Sequence, residues 1–198
     1  MSQCLSVAMG SIEMSLSNNR MVAETMARGV EAIQRQAVKG EQTASDWDAA
    51  AYQEILTSFV GSNPETFGGG IWFEPYQYRP EQRYFSPYCM RQNGAVTYVD
   101  NYSLGEGVYY TDQDWYTNAA NTTQKSVWSA PYYDEFAQIS MVTSSAPIYD
   151  ETGRLLGVAT ADIDLTQMQQ MVLSLDVVAN GRAFLIDDTG VYIADEDS

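Results

Sequence analysis

Three aspartates stand where chemistry could be placed. Asp134 follows the pair Tyr132 and Tyr133, while Asp162 and Asp164 fall in an otherwise apolar run from Leu155 to Leu165. Paired carboxylates can serve as general acid and base, and a desolvated carboxylate can also hold a cation. Asp162 shares a strand face with Thr160 and Asp164, because side chains two residues apart along a strand point the same way. At least one of these aspartates is therefore expected to face a polar cavity or solvent. Two carboxylates in one closed pocket would repel, raising the pKa of one, and a cationic ligand would relieve that cost. The plainer alternatives put Asp164 in solvent at a strand end and use Asp134 to cap a loop.

The other routes to catalysis lack their residues. There is no histidine to act as base or zinc ligand, and Cys4 and Cys89 stand in unrelated contexts with no C-x-x-C spacing. The triplet Gly68, Gly69, Gly70 opens onto Trp72 and Phe73 rather than onto the Gly-Lys-Ser/Thr of a phosphate loop. Asp112, Asp114 and Asn118 alternate as oxygen donors but lack the glycine and the final glutamate of a calcium loop. No elbow of the form Gly-x-Ser-x-Gly is present. The chain is expected to catalyse nothing and to carry neither metal nor cofactor. A carboxylate-based hydrolase is the only enzyme class with any residues in its favour.

The charge balance narrows the partners. With 26 acidic and 10 basic residues in 198, the formal net charge is -16. Nucleic acid and anionic bilayer surfaces would be repelled, while small cations and amines would be concentrated near the surface. Solubility is the weightier reading of the same acidity. No stretch approaches the roughly 18 to 20 consecutive apolar residues of a membrane span, and the N-terminus lacks the basic and apolar regions of a signal peptide. The piece as given is expected to be soluble.

The elements that would position these residues follow from periodicity. Leu5, Met9, Ile12, Leu16, Ala23, Met26, Val30, Ile33 and Ala37 keep a heptad register broken only by Asn19, which predicts a helix over 2–39, a stalk of about 55 Å. That stripe could be a dimer seam or could pack on its own domain, and Asn19 could set a register or be a solvated fault. Lys39 and Gly40 end this helix; Ser45 and Asp48 start a second, with Trp47, Ala51, Ile55 and Phe59 as its apolar face. Residues 61–70 read as a loop leading to a strand over 71–74. Strands over 82–91 and 95–100 join through Asn93-Gly94, and those over 138–149 and 154–164 join through 150–153 as the sheet's central pair. A loop spans 103–107, a short helix opened by Asp112 runs from Gln113 to about Ala120, a further helix covers 165–178, and a last hairpin pairs 182–187 with 191–194. The fold class is α+β.

Short motifs in one order then carry a resemblance. Trp115-Tyr116, Pro131-Tyr132-Tyr133-Asp134, Ser145-Ala146-Pro147-Ile148-Tyr149-Asp150, Gly153, and Gly157 to Ile163 look like the distal module of double-Cache sensors. Gly70 to Pro75 and Tyr84 to Tyr88 resemble that family's first strands, and residues 181–194 the opening hairpin of its proximal module. The chain is thus similar over residues 1–194 to the extracytoplasmic ligand-binding part of bacterial chemoreceptors, sensor histidine kinases and cyclic-dinucleotide enzymes. The resemblance implies a stalk helix (1–40), a PAS-like antiparallel sheet flanked by helices (41–178) and the truncated start of a second module (179–198). It also implies anchorage by transmembrane helices outside this chain.

The resemblance further implies a pocket. Trp115, Tyr116, Tyr132, Asp134 and Asp162 match positions that line it in the family, and Tyr109 or Tyr110 would join them. In the amino-acid-binding branch an arginine two positions before the tryptophan holds the ligand carboxylate; here that position is Gln113. A guanidinium offers two charge-assisted hydrogen bonds, whereas an amide offers no compensating charge. The change shifts the expected ligand from an amino acid toward an amine or other cationic metabolite, with Asp134 and Asp162 as ammonium acceptors. The alternatives are an amino-acid sensor of the same family and a structural dimerisation module without ligand, and a homodimer through the stalk is one of the two readings of its heptad stripe.

Overall fold

A computed structural model of the chain describes residues 2–38, 49–99, 102, 107–173, 184–186, 190 and 192–195. The expected helix stop at Lys39 and Gly40, the start at Ser45 and Asp48, the loop over 103–106, and the helix beyond Leu173 lie outside the described residues. Among the described residues no helix is long and apolar enough to cross a membrane.

The heptad stripe forms one helix, α1 (Ser2–Val38). Its middle is spent on its own domain. Val22, Ala23, Met26, Ala27, Val30 and Ile33 are buried, and most of them enter a core shared with the sheet. Further toward the N-terminus, Ile12 and Leu16 pack on a smaller cluster of Val142, Ile163, Leu165 and Met168. Asn19 is neither a solvated fault nor unpaired. It is fully buried, its Nδ2 donates to the Ser15 carbonyl at 3.0 Å, and its Oδ1 accepts the Thr66 hydroxyl at 2.9 Å. A buried amide satisfied at both ends fixes the helix against the chain entering the first strand.

The second helix, α2 (Ala49–Ser62), buries Tyr52, Leu56 and Val60. This corrects the expected face by one residue: Ala51, Ile55 and Phe59 are its half-buried flank. Periodicity of 3.6 leaves such one-step rotations open when both neighbouring rows are apolar. Tyr52 decides the matter by meeting Phe73, Tyr78 and Phe85 edge-on at 5.5 to 5.8 Å.

The sheet is wholly antiparallel. Its strands are β1 (Gly68–Phe73), β2 (Tyr88–Gln92), β3 (Ala95–Val99), β4 (Val127–Trp128), β5 (Tyr132–Asp134), β6 (Ile139–Tyr149) and β7 (Leu155–Asp164). They run in the order β3-β2-β1-β7-β6-β4, with β5 also paired to β6. The central pair β6 and β7 is as expected, and both strands read as nearly continuous buried runs because both sheet faces are covered. Asn93 and Gly94 both have positive φ, 51° and 80°, as a tight hairpin turn requires. The Asp150 carboxylate holds the other turn by accepting the Thr152 and Arg154 amides at 2.8 and 3.0 Å.

Two strand limits differ from expectation. Residues 82–87 run beside β1, with the Phe85 and Pro87 carbonyls accepting from Phe73 and Ile71, but the regular strand begins only at Tyr88. Pro87 has no N–H to give to a ladder. The glycine triplet is not a loop; it forms the first half of β1, fully buried and paired with Asp162, Ala161 and Thr160 of β7. A Cβ at Gly69 would lie 2.8 Å from the Thr160 backbone carbonyl, so glycine is what lets β1 and β7 pair this closely here, with the tip of Met26 from α1 packed 3.3 Å from the same point.

The opposite face is covered by a 3-10 turn (Tyr110–Asp112) and by α3 (Asp114–Ala120). Asp112 lies in that turn rather than opening the helix; Gln113 occupies the cap position and its side chain makes no capping bond. Asp164 caps α4 (Leu165–Leu173), accepting the Thr166 amide at 2.8 Å. The hairpin of β8 (Phe184–Ile186) and β9 (Tyr192–Asp195) forms a separate two-stranded sheet. Leu185 packs on the small cluster beneath α1. Cys89 is a buried free thiol beside Thr57, 3.5 Å away.

Candidate functional site

The face of the sheet turned toward α3 carries Gly68, Gly70 and Trp72 from β1, Val158, Thr160 and Asp162 from β7, and Met141 and Thr143 from β6. Register places Thr143 directly across from Asp162 on one side and Gly68 across from it on the other. Because Gly68 has no side chain, Tyr88 reaches over it from β2, and its hydroxyl donates to Asp162 Oδ2 at 2.7 Å. A Cβ at Gly68 would collide with that hydroxyl. Gly70 plays the same part for Trp72, whose indole lies across it and donates through Nε1 to Thr160 Oγ1 at 2.8 Å. The two outer glycines of the triplet clear the floor of a cavity, and the middle one avoids the Thr160 carbonyl of β7.

Around that floor stand Trp72, Tyr88, Tyr102, Trp115, Tyr132, Asp134, Met141, Thr143, Thr160 and Asp162. Trp115 comes down from α3 with its ring 4.8 Å from that of Trp72, and Tyr102 meets Trp72 edge-on at 5.2 Å. Tyr132, on β5, closes the side; its hydroxyl is 2.8 Å from Thr143 Oγ1, which in turn donates to Asp162 Oδ1 at 2.8 Å. Two residues along β5, Asp134 accepts the Ala137 amide at 2.7 Å and so caps the following turn while still lining the cavity. About 10 Å³ is open to the centre of a water-sized sphere, roughly what one water molecule needs.

The electrostatics are lopsided. Asp162 is 3% exposed and Asp134 5%, and among the described residues no lysine or arginine lines the cavity. Arg91, on β2, is committed elsewhere, donating to the Val60, Asn63 and Thr66 carbonyls behind α2. Burial pushes the Asp162 carboxyl up to about 7; the Tyr88 and Thr143 hydroxyls pull it down, and the Asp134 charge raises it further. Burial, with Asp162 beside it, also holds the Tyr88 phenol well above its ordinary range, so it remains a donor.

Of the residues singled out in the sequence, Trp115, Tyr132, Asp134 and Asp162 come together here. Tyr110 stands behind the wall, its hydroxyl donating to the Phe73 carbonyl at 2.5 Å. Tyr116 turns to another groove, donating to Glu74 Oε1 at 2.6 Å. Gln113 is outside the lining, its amide 3.4 Å from the Tyr109 carbonyl. Trp72, Tyr88, Tyr102, Met141, Thr143 and Thr160 were not among those residues. The spacing Gly68-x-Gly70-x-Trp72 was a usable signal, since period two puts all three on one strand face. Among the described residues no three His, Cys, Asp or Glu side chains are grouped to hold a metal ion.

Residues 52–170 match the family described as methyl-accepting chemotaxis protein-like, first PDC sensor domain. The chain belongs to this family. That assignment agrees with the Cache-type resemblance. This PDC sensor is 38% identical over 84 residues to the methyl-accepting chemotaxis protein McpC of Bacillus subtilis strain 168, covering 42% of this chain and 13% of McpC. It spans 13 to 30% of the length of the curated chemotaxis proteins that it matches. Its fold is also that of the extracellular domain of mmHK1S-Z3, assigned as a histidine kinase, with TM-score 0.74, 22% identity and coverage of 93% of this chain and 65% of that one. The ligand-binding domain of the Campylobacter jejuni chemoreceptor Tlp3 in complex with L-valine aligns with TM-score 0.68 and 17% identity, over 97% of this chain and 68% of that one.

Proposed function

We propose that this PDC sensor is an extracytoplasmic part of a transmembrane signalling receptor, that it catalyses no reaction, and that it binds a small amine or other cationic metabolite. The observation that carries the ligand class is the cavity's charge: two buried carboxylates, five aromatic walls within one lining, and, among the described residues, no lysine or arginine to neutralise them. An ammonium gains from aromatic faces about 0.5 to 2 kcal/mol each and can donate to both carboxylates. The valine bound by Tlp3 speaks for the alternative, an amino acid. Against it, the described residues of the lining offer no guanidinium for a carboxylate, and Gln113 lies outside it.

The cavity holds little more than an ammonium head. A ligand with a longer tail therefore needs the lining to widen on binding. The β8–β9 hairpin is read as the opening of a second sensor module, and membrane anchorage as supplied outside this chain. A dimer through α1 would use its exposed methionines, Met14 and Met21 on the flank and Met9 near the N-terminal end of the stripe, since the stripe from Ile12 to Ile33 packs on this chain.

A thermal-shift screen with amines, amino acids, carboxylates and calcium tests the ligand class. A ligand at about 100 times its dissociation constant stabilises by about 2.7 kcal/mol. Amines should raise the melting temperature; a response confined to amino acids or carboxylates contradicts the proposal.

A further inference from the structure

Thr160 stands at the centre of the cavity floor with its valences unevenly used. Its hydroxyl oxygen accepts the Trp72 indole N–H at 2.8 Å and the Gly70 amide at 3.2 Å. A threonine hydroxyl has two lone pairs and one hydrogen. Both lone pairs are taken, so the hydrogen is all that Thr160 has left to offer, and among the described residues it meets no acceptor. The residue is 1% exposed. Directly across the β6–β7 pair, the Ser145 hydroxyl is also buried and without a partner. Two residues along β7, Asp162 presents a carboxylate whose oxygens can accept more than the one hydrogen bond each receives.

We propose that Thr160 is a specificity residue, an obligate donor beside the Asp162 acceptor, so that the preferred ligand carries a neutral hydrogen-bond acceptor next to its ammonium, as an amino alcohol or an amino amide does. This rests on the amine reading of the same cavity and narrows it. A plain alkylamine leaves the Thr160 hydrogen buried and unpaired. A carboxylate would take it, yet would bring a third carboxylate beside Asp134 and Asp162, with no lysine or arginine among the described residues of the lining. A hydroxyl or amide oxygen pairs the donor at no cost in charge.

Calorimetric titration of the chain with sec-butylamine, alaninol, alaninamide and alanine isolates that difference, because the four share a small branched skeleton. Alaninol and alaninamide should bind roughly tenfold more tightly than sec-butylamine, and alanine more weakly than either. In Thr160→Val the advantage of alaninol over sec-butylamine should fall to about one, whatever the change in absolute affinity caused by leaving Trp72 and Gly70 without their acceptor. Thr160→Ser, which keeps donor and lone pairs, should retain the preference. Equal affinities for sec-butylamine and alaninol in the unaltered chain, or a preference that survives in Thr160→Val, overturn the inference and leave the amine reading intact. Binding of alanine alone, or of none of the four, overturns both.

Discussion

Asp162→Asn is expected to abolish amine binding while making the domain more stable above neutral pH. Removing one partner of a buried charge pair costs about 2 to 5 kcal/mol of affinity, a loss of thirtyfold or more. Stability moves the other way. The Asp162 carboxyl is raised to about 7 by burial. The folded chain therefore keeps a proton that the unfolded chain has already released. The contribution is fully present below the unfolded value near 4, and it is lost as pH rises to about 7. Above that the folded state must hold a buried charge. The amide carries none; its oxygen can accept from one of the Tyr88 and Thr143 hydroxyls that now donate to the carboxylate, and its NH2 can donate to the oxygen of the other. Urea melts at about pH 5 and pH 8 should show the unaltered chain losing stability between them and Asp162→Asn losing much less. An equal decline in both would place the titration on another group.

Trp72→Ala is expected to cost about 3 to 5 kcal/mol of stability, the range for emptying a buried tryptophan site. The indole is 2% exposed and lies among Tyr88, Tyr102, Tyr110 and Trp115 at 4.8 to 5.8 Å. It also holds the Thr160 hydroxyl in place. The loss should appear in denaturant melts as a lower midpoint. Replacement by phenylalanine should cost much less stability yet still disturb the cavity, since the ring is restored without the N–H. A loss under about 1 kcal/mol for the alanine variant would mean that this cluster is not a core at all.

Much of this arrangement was legible in the residues, and what was not has a physical reason. The pair β6 and β7 showed itself through two apolar runs flanking a turn, and Asp162 stood out because a carboxylate interrupts one of them. The motif order that pointed to double-Cache sensors led to the right family and fold. The cavity floor was hidden because it depends on register between distant strands: Gly70 meets Thr160 across 90 positions. Three adjacent glycines look like a loop until the strand beside them is known, since glycine serves close approach as well as bending. Tyr88 could not be tied to Asp162 without knowing that Gly68 lies between them. The stripe on α1 was visible, but whether it met a second copy or its own sheet depended on packing that periodicity does not encode.

An ammonium bound in this cavity takes the place of the proton on Asp162, so binding should release that proton. Calorimetric titration with alaninol at about pH 6, in two buffers of different ionisation enthalpy, counts the protons released on binding. At that pH a carboxyl titrating near 7 is about nine-tenths protonated, so close to one proton should be released per ligand bound, and almost none at about pH 9. Binding with no proton release at the lower pH, or release that persists in Asp162→Asn, would contradict the account.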